Sequence, residues 1–148
     1  MGWTTDDYKG MAFEAFVEVL IKASPVDKRI NITNYRPHNN REDGQDMGID
    51  GYGLSHNGNK HTIQAKFRSN ITEDLTTKDM ISNFVAKTTS NPEYRDADMT
   101  LFTTAKGLGF KISEKMYHNR VRTLGYQELS NMVDGNNAFW ERFRNELA

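Results

Sequence analysis

The chain has 148 residues, a length that corresponds to one domain. Its 36% hydrophobic residues can bury a modest core, and its formal net charge of -1 excludes a protein that holds nucleic acid by bulk charge. The absence of cysteine excludes disulfide scaffolds, cysteine zinc sites and thiol catalysis. No apolar run approaches the ~18 residues that span a bilayer, and the N-terminus lacks the features of a signal peptide. We therefore expect a cytoplasmic protein without a membrane contact, folded as a single domain over residues 1–148.

The first half of the chain predicts one helix followed by three strands. Apolar residues at helical spacing predict a helix over 5–23. Alternation of apolar and polar residues predicts a strand over 29–35. Two further strands, over 48–55 and 61–68, are joined by an Asn-Gly turn that is typical of a hairpin.

The second half predicts helices that alternate with strands. A helix over 76–88 precedes a buried strand over 99–104. A helix over 112–122 and a short strand over 125–129 follow, and a last helix over 136–148 carries its apolar residues on one face. This order predicts an α/β fold in which helices flank a central mixed sheet, with the last helix packed on the core or on a partner.

The third predicted strand carries the most informative segment. Strand alternation places Gln64 and Lys66 on one face, about two residues' rise apart. In the preceding strand, Gly48 and Gly51 leave the carboxylate of Asp50 uncovered and let another backbone approach. Across the hairpin, we therefore expect Asp50 to lie close to Gln64 and Lys66.

A second carboxylate comes from the first helix. Glu14 lies at the margin of the apolar stripe of this helix, where its side chain can reach over a sheet edge. An all-oxygen site suited to Mg²⁺ would then be formed by the side chains of Glu14, Asp50 and Gln64 and the backbone carbonyl of Ala65. Lys66 beside this metal could position or deprotonate a water molecule, or stabilise the charge that develops at phosphorus.

In this order the segments resemble the PD-(D/E)XK nuclease superfamily, which has the restriction-endonuclease-like fold, and most closely its Mrr-like branch with a Gln-x-Lys third motif. The matching segments are Gly-Met-Ala-Phe-Glu at 10–14, Asp-Met-Gly-Ile-Asp-Gly at 46–51 and Gln-Ala-Lys at 64–66. Segment 98–107 is similar to a later core strand and turn of that branch. No single motif is specific to the superfamily, but the ordered set is.

The resemblance implies an αβββαβ core and metal-dependent hydrolysis of phosphodiester bonds in DNA. It implies that Glu14, Asp50 and Gln64 hold Mg²⁺, for which Mn²⁺ can substitute, and that Lys66 is the catalytic lysine. The sequence departs from the commoner pattern because Ile49, rather than a proline, precedes Asp50, and because Gln64 replaces an acidic residue. The second departure removes a negative charge, which would weaken metal binding or favour one metal ion over two.

Each of these residues also has an ordinary explanation. Polar alternation alone explains Gln64 and Lys66 as part of an exposed strand face. Glu14 fits a solvated helix residue that pairs with Lys9 or Lys22, or that repels Glu18 four residues later. His56 and His61 faintly resemble a ββα-metal site, but the hairpin already explains that loop and no His-x-x-x-His pair supports a metal there.

Between residues 105 and 125, five basic side chains stand against one acidic side chain. The five are Lys106, Lys111, Lys115, Arg120 and Arg122. Such a local excess is typical of a phosphate-contacting patch, although a solvated helix face explains most charge runs. The aromatic residues Phe139, Trp140 and Phe143 are expected to pack in the core or on a neighbouring helix rather than to stack on bases.

The leading hypothesis is a DNA endonuclease that nicks or cuts both strands. A structure-selective nuclease such as a Holliday-junction resolvase is a second hypothesis. A third is a non-catalytic DNA-binding or accessory domain of a helicase or restriction assembly. A double-strand break by a subunit with one site would require a homodimer, and elaborate target recognition would require a dimer mate or a larger partner protein.

Overall fold

The structure is a computed structural model that describes residues 5–22, 30, 32–37, 48–75, 78–107 and 121–147. Within these ranges the chain forms five strands and four helices. In chain order the elements are α1 (Thr5–Ile21), β1 (Ile32–Pro37), β2 (Gly51–Ser55), β3 (Lys60–Lys66), α2 (Lys78–Ser90), β4 (Asp98–Thr103), β5 (Val121–Leu124), α3 (Tyr126–Val133) and α4 (Asn137–Leu147). The predicted α/β class is confirmed.

The five strands form one mixed sheet in the order β1-β2-β3-β4-β5. Strands β1, β2 and β3 pair antiparallel, whereas β3, β4 and β5 pair parallel. The predicted hairpin joins β2 to β3, and its turn is held by the side-chain oxygen of Asn57, which accepts from the backbone N–H of Asn59 at 3.0 Å. Gly58 takes the positive φ of 87° that this turn requires.

Helices cover both faces of the sheet because the strands alternate their apolar side chains. On one face, Ile63 of β3 and Phe102 of β4 share a buried cluster with Phe13 of α1 and with residues of α3 and α4. On the other face, Leu101 of β4 packs with Ile81 of α2. We call these faces the α1 face and the α2 face. No helix in the described ranges has the length and apolar character needed to cross a membrane.

The prediction of a short strand over 125–129 is wrong, because this segment begins α3. Leu129, Met132 and Val133 have helical spacing and are buried on one face of α3. The backbone N–H of Gly125 donates to the side chain of Glu128 at 3.1 Å, which caps the first turn of the helix. A seven- or eight-residue amphipathic segment is too short to distinguish helix from strand by periodicity alone.

The predicted helix over 112–122 is also corrected at its end. Residues 121 and 122 belong to β5, where Val121 and Arg122 pair with Met99 and Thr100 of β4. Residues 112–120 lie outside the described ranges. The four residues of β5 are a strand because they complete the parallel edge of the sheet, and this long-range pairing leaves no local signal.

Candidate active site

Asp50 lies just before β2, at an irregularity in the pairing with β3. Its backbone N–H donates to the carbonyl of Ile63 at 2.8 Å, although Gly51 is the residue that pairs with Ile63. Two consecutive residues thus lie opposite one, as in a β-bulge, and bulges re-aim side chains next to functional sites. Gly48, with φ of 81°, lets this segment approach α2, since a Cβ there would lie 3.1 Å from the backbone of Asn83.

The bulge brings the carboxylate of Asp50 to the backbone of β3. One carboxylate oxygen accepts the N–H of Ala65 at 2.8 Å. Asp50 is half-buried. This bond holds its carboxylate beside Gln64 and Lys66, the two neighbours of Ala65 in the chain. Asp50 therefore lies close to this segment, as the sequence predicts. Its contact with Ala65 is made to the backbone N–H of that residue.

Gln64 is fully buried on β3, with 0% of its surface exposed. Neither the oxygen nor the nitrogen of its side-chain amide has a hydrogen-bond partner among the described residues. Two residues earlier on the same strand, the equally buried Thr62 bonds to Thr88 of α2 at 2.9 Å. The ordinary explanation of an exposed strand face is therefore wrong for Gln64, and a buried amide without partners is expected where a ligand binds.

Lys66 is the last residue of β3 and is half-buried. It pairs with Thr103, the last residue of β4. Beyond these residues, the hydroxyl of Thr104 accepts the N–H of Arg68 at 2.6 Å and donates to the carbonyl of Arg68 at 2.7 Å. These two bonds hold the carboxyl ends of β3 and β4 together. They therefore fix the position of the backbone that carries Lys66.

Glu14 lies on α1, which covers the opposite face of the sheet from α2. The N-terminal half of α1 is near the carboxyl end of β3, as shown by the Lys9 ammonium 5.8 Å from the ring of Phe67. Glu14 itself is half-buried. Lys22, one of its expected pairing partners, forms its ion pair with Glu18 at 3.6 Å. The role of Glu14 as a metal ligand stays a prediction.

Among these residues, Gln64 provides the strongest support for a divalent cation site. In the described ranges, no group of three or more histidine or acidic side chains could hold a metal ion. A cation at the carboxyl end of β3 would therefore depend on the amide oxygen of Gln64 together with the carboxylate of Asp50. Amide and carboxylate oxygens are the donors that hard cations such as Mg²⁺ prefer, and the orphaned amide of Gln64 is the observation that supports this fit.

Only two of the five predicted DNA-contacting residues lie in the described ranges. Lys106 is exposed in the turn beyond the carboxyl end of β4. Arg122 is exposed on β5 and pairs with Thr100, three residues before that end. The two side chains thus occupy different positions along the sheet. The other three, Lys111, Lys115 and Arg120, lie outside the described residues.

A second polar cluster lies at the other end of β3 and was not anticipated from the sequence. Ser55 donates to the carboxylate of Asp98 at 2.5 Å, so its oxygen accepts from Nδ1 of His61 at 3.0 Å. Nε2 of His61 then accepts from the hydroxyl of Thr100 at 2.6 Å. Burial lowers the pKa of His61 to about 4, with Asp98 raising it and Arg122 lowering it. The signal that could have found this cluster is the position of His61 on the same strand face as Ile63.

A five-stranded mixed sheet with helices on both faces is the architecture of the restriction-endonuclease-like fold class. A family model described as restriction endonuclease matches residues 25–145, and the chain belongs to this family. The match includes Asp50, Gln64 and Lys66, but it begins after α1 and so leaves Glu14 outside. No curated protein and no solved structure matches the chain.

Proposed function

We propose that this protein is a divalent-metal-dependent deoxyribonuclease that hydrolyses phosphodiester bonds at the carboxyl end of β3. The observation that carries the proposal is the fully buried side-chain amide of Gln64, which has no partner among the described residues. Gln64 directly precedes Ala65, whose N–H holds the carboxylate of Asp50, and lies two residues before Lys66. The chain that carries this segment belongs to the restriction endonuclease family.

Three residues would hold the cation in the proposed reaction, and the backbone of a fourth would orient one of them. Asp50 and Gln64 hold the cation, with Glu14 as the further ligand that the family resemblance implies. The backbone N–H of Ala65 orients the carboxylate of Asp50 through the 2.8 Å bond. A divalent cation held by these residues would supply Lewis-acid chemistry, polarising the phosphate and acidifying a water molecule.

Lys66 acts on the attacking water and on the charge that develops at phosphorus. An ammonium group donates up to three hydrogen bonds and accepts none, so it can orient the water and stabilise a non-bridging phosphate oxygen. Thr104 supports this geometry because its two bonds to Arg68 hold the strand end on which Lys66 stands. Lys106, exposed beyond the end of β4, would contact a DNA phosphate in this proposal.

The proposal is tested by incubating the purified protein with supercoiled, linear and branched DNA in Mg²⁺, Mn²⁺ or EDTA. We expect nicking or double-strand cutting that requires the divalent ion and that is lost in Asp50→Ala. Asp98→Ala is the matched control, since its carboxylate belongs to the cluster around His61 at the other end of β3. Full cleavage by folded Asp50→Ala protein would contradict the proposal.

Two outcomes would redirect the proposal within the DNA-processing class. Cleavage of branched DNA alone would identify a structure-selective nuclease. DNA binding that is unchanged by EDTA, with no cleavage in either metal, would identify an accessory or DNA-binding domain. Analytical ultracentrifugation in the same buffers would establish whether the cutting species is a monomer or a homodimer, and double-strand cutting requires two sites.

A further inference from the structure

A pocket of about 360 Å³ lies on the α1 face of the sheet, between α1, α3 and α4. We call it the aromatic pocket, because six aromatic side chains line it: Phe13, Phe16, Phe67, Tyr126, Trp140 and Phe143. Its few polar side chains are Lys9, Thr104 and Ser130. Trp140 and Phe143 pack against the core cluster, as the sequence predicts, and their half-buried side chains also line this pocket.

The rings of the aromatic pocket are held in place before any ligand arrives. Phe16 contacts Phe143 edge-to-face, with 5.6 Å between ring centroids, and lies 6.1 Å from the ring of Trp140. The indole N–H of Trp140 donates to the carbonyl of Val133 at 3.0 Å. Because that donor is already used, Trp140 contributes its ring to the pocket lining but no free hydrogen-bond donor.

The aromatic pocket and the candidate active site lie at the same end of the sheet but on opposite faces, because strand alternation directs Gln64 and Lys66 toward α2. Phe67, which lines the pocket, directly follows Lys66. Thr104, which also lines the pocket, forms the two bonds that join the ends of β3 and β4. Lys9 lies over the ring of Phe67, with its ammonium 5.8 Å from the ring centroid, and adds a positive charge beside the pocket.

We propose that the aromatic pocket takes one unstacked nucleobase of the DNA strand that is bound at the carboxyl end of β3. This inference rests on the proposed function, because the base belongs to the same substrate. Planar aromatic walls stack on the flat face of any base, and each such contact stabilises single-stranded nucleic acid binding. The charge of Lys9 complements the phosphate that accompanies the base.

The chemistry of the walls also defines how the base is recognised. Thr104 already accepts and donates a hydrogen bond within the backbone, and Trp140 has used its only donor. Lys9, Ser130 and the hydroxyl of Tyr126 are the other polar groups of the lining, and the six aromatic rings provide most of the wall. Stacking therefore contributes more than hydrogen-bond readout, and the pocket accepts different bases with similar affinity. It would favour single-stranded or distorted DNA, in which a base is not already stacked in a duplex.

The direct test uses the fluorescence of Trp140. Since the chain has two tryptophans, the protein carries Trp3→Phe so that Trp140 is the single reporter. In EDTA, which prevents cleavage, it is titrated with a short thymidine oligonucleotide and with an abasic oligonucleotide of equal length and charge. We expect the thymidine oligonucleotide to quench Trp140 and the abasic one to leave its emission unchanged. Equal quenching by both would overturn the proposal.

Variants of Phe143 separate stacking from packing. Phe143→Leu keeps an apolar side chain but removes the ring, and we expect it to weaken binding of the thymidine oligonucleotide by about 5-fold to 100-fold. Phe143→Tyr keeps the ring and should retain the affinity of the wild-type protein. Circular dichroism confirms that each variant is folded. Unchanged affinity in folded Phe143→Leu would contradict the proposal.

A competing occupant is an apolar ligand or an apolar side chain of another protein. An environment-sensitive apolar dye that binds the aromatic pocket and that the thymidine oligonucleotide cannot displace would assign the pocket to that occupant and overturn the proposal. The proposed function fails separately. Quenching by the thymidine oligonucleotide alone, without cleavage in any metal, leaves a base pocket in a protein that is not a nuclease, whereas cleavage with equal quenching leaves a nuclease without a base pocket.

Discussion

The buried polar side chains at the two ends of β3 differ in whether their hydrogen bonds are satisfied. At the amino end, both ring nitrogens of His61 are hydrogen-bonded, to Ser55 and to Thr100. At the carboxyl end, the amide of Gln64 is fully buried and has no partner among the described residues. His61 and Gln64 are three residues apart on one strand, so strand propensity and depth of burial cannot account for the difference.

Under the proposed function, this difference distinguishes polar groups that stabilise the fold from polar groups that bind a ligand. A buried polar group with its partners in place contributes to stability, whereas an unsatisfied one costs about 1–3 kcal/mol. Changes at the amino end of β3 should therefore alter stability with little effect on cleavage. Changes at the carboxyl end should alter cleavage with little loss of stability.

The largest effect on stability is expected from protonation of His61. Its pKa of about 4 in the folded protein lies below the ordinary value of 6.5, so the folded state binds fewer protons than the unfolded state between these values. Stability is then fully present above pH 6.5 and is lost as the pH falls toward 4, by about 3 kcal/mol in total.

Urea denaturation from pH 4 to pH 7 measures this loss. The dependence should flatten in His61→Gln, which has no titrating ring, and should persist in His56→Gln, since His56 is exposed in the hairpin turn. An unchanged slope in His61→Gln would show that other groups cause the acid sensitivity.

Ser55→Ala should give the next largest loss. The substitution removes the hydroxyl that bonds to both His61 and Asp98. Leaving the buried Nδ1 of His61 unsatisfied should lower the free energy of unfolding by about 1–3 kcal/mol. The rate of metal-dependent cleavage, measured below the melting temperature, should stay within about twofold of wild type. A loss of cleavage as large as that of Lys66→Ala would show that both ends of β3 belong to the active site.

Gln64→Leu should shift stability by the smallest amount and in the opposite direction. Leucine removes an unsatisfied buried amide with little change in volume, so the free energy of unfolding should rise by about 1 kcal/mol. Thr62→Val is the matched control on the same strand, and it should lose about 1 kcal/mol because Thr88 loses its partner.

Chemical denaturation of the two variants, followed by cleavage assays, tests both halves of this contrast. Gln64→Leu should be stable and inactive, whereas Thr62→Val should be less stable and active. A clear destabilisation by Gln64→Leu would indicate that the amide has a stabilising partner.

Much of the fold is encoded locally and was predicted on that basis. The alternation in β3 and the Asn-Gly turn define the hairpin, and the helical spacing of Phe139 and Phe143 defines α4. β5 could not be predicted in this way, because its four residues are a strand through pairing with β4. Local patterns describe one element at a time and carry no information about its neighbours.

The candidate site likewise has features that local sequence patterns predict and features that depend on packing. The spacing of Asp50, Gln64 and Lys66 could be predicted because hairpin pairing and strand alternation follow from the sequence. Three features could not be predicted, because each depends on how β2, β3 and α2 pack: the bulge at Asp50, the bond to Ala65 and the lack of a partner for Gln64 among the described residues. The same holds for the aromatic pocket, whose walls come from segments more than 100 residues apart in the chain, from Phe16 to Phe143.

The most direct test of the central claim compares the two lysines at the ends of β3. Lys66 stands at the candidate site, whereas Lys60 pairs with the exposed Glu93 at 3.1 Å. Initial rates of supercoiled DNA cleavage should fall by about 100-fold to 10,000-fold in Lys66→Ala. They should be unchanged in Lys60→Ala, with both variants as stable as wild type to within about 1 kcal/mol. Wild-type rates in a folded Lys66→Ala protein would contradict the claim that the carboxyl end of β3 is the active site.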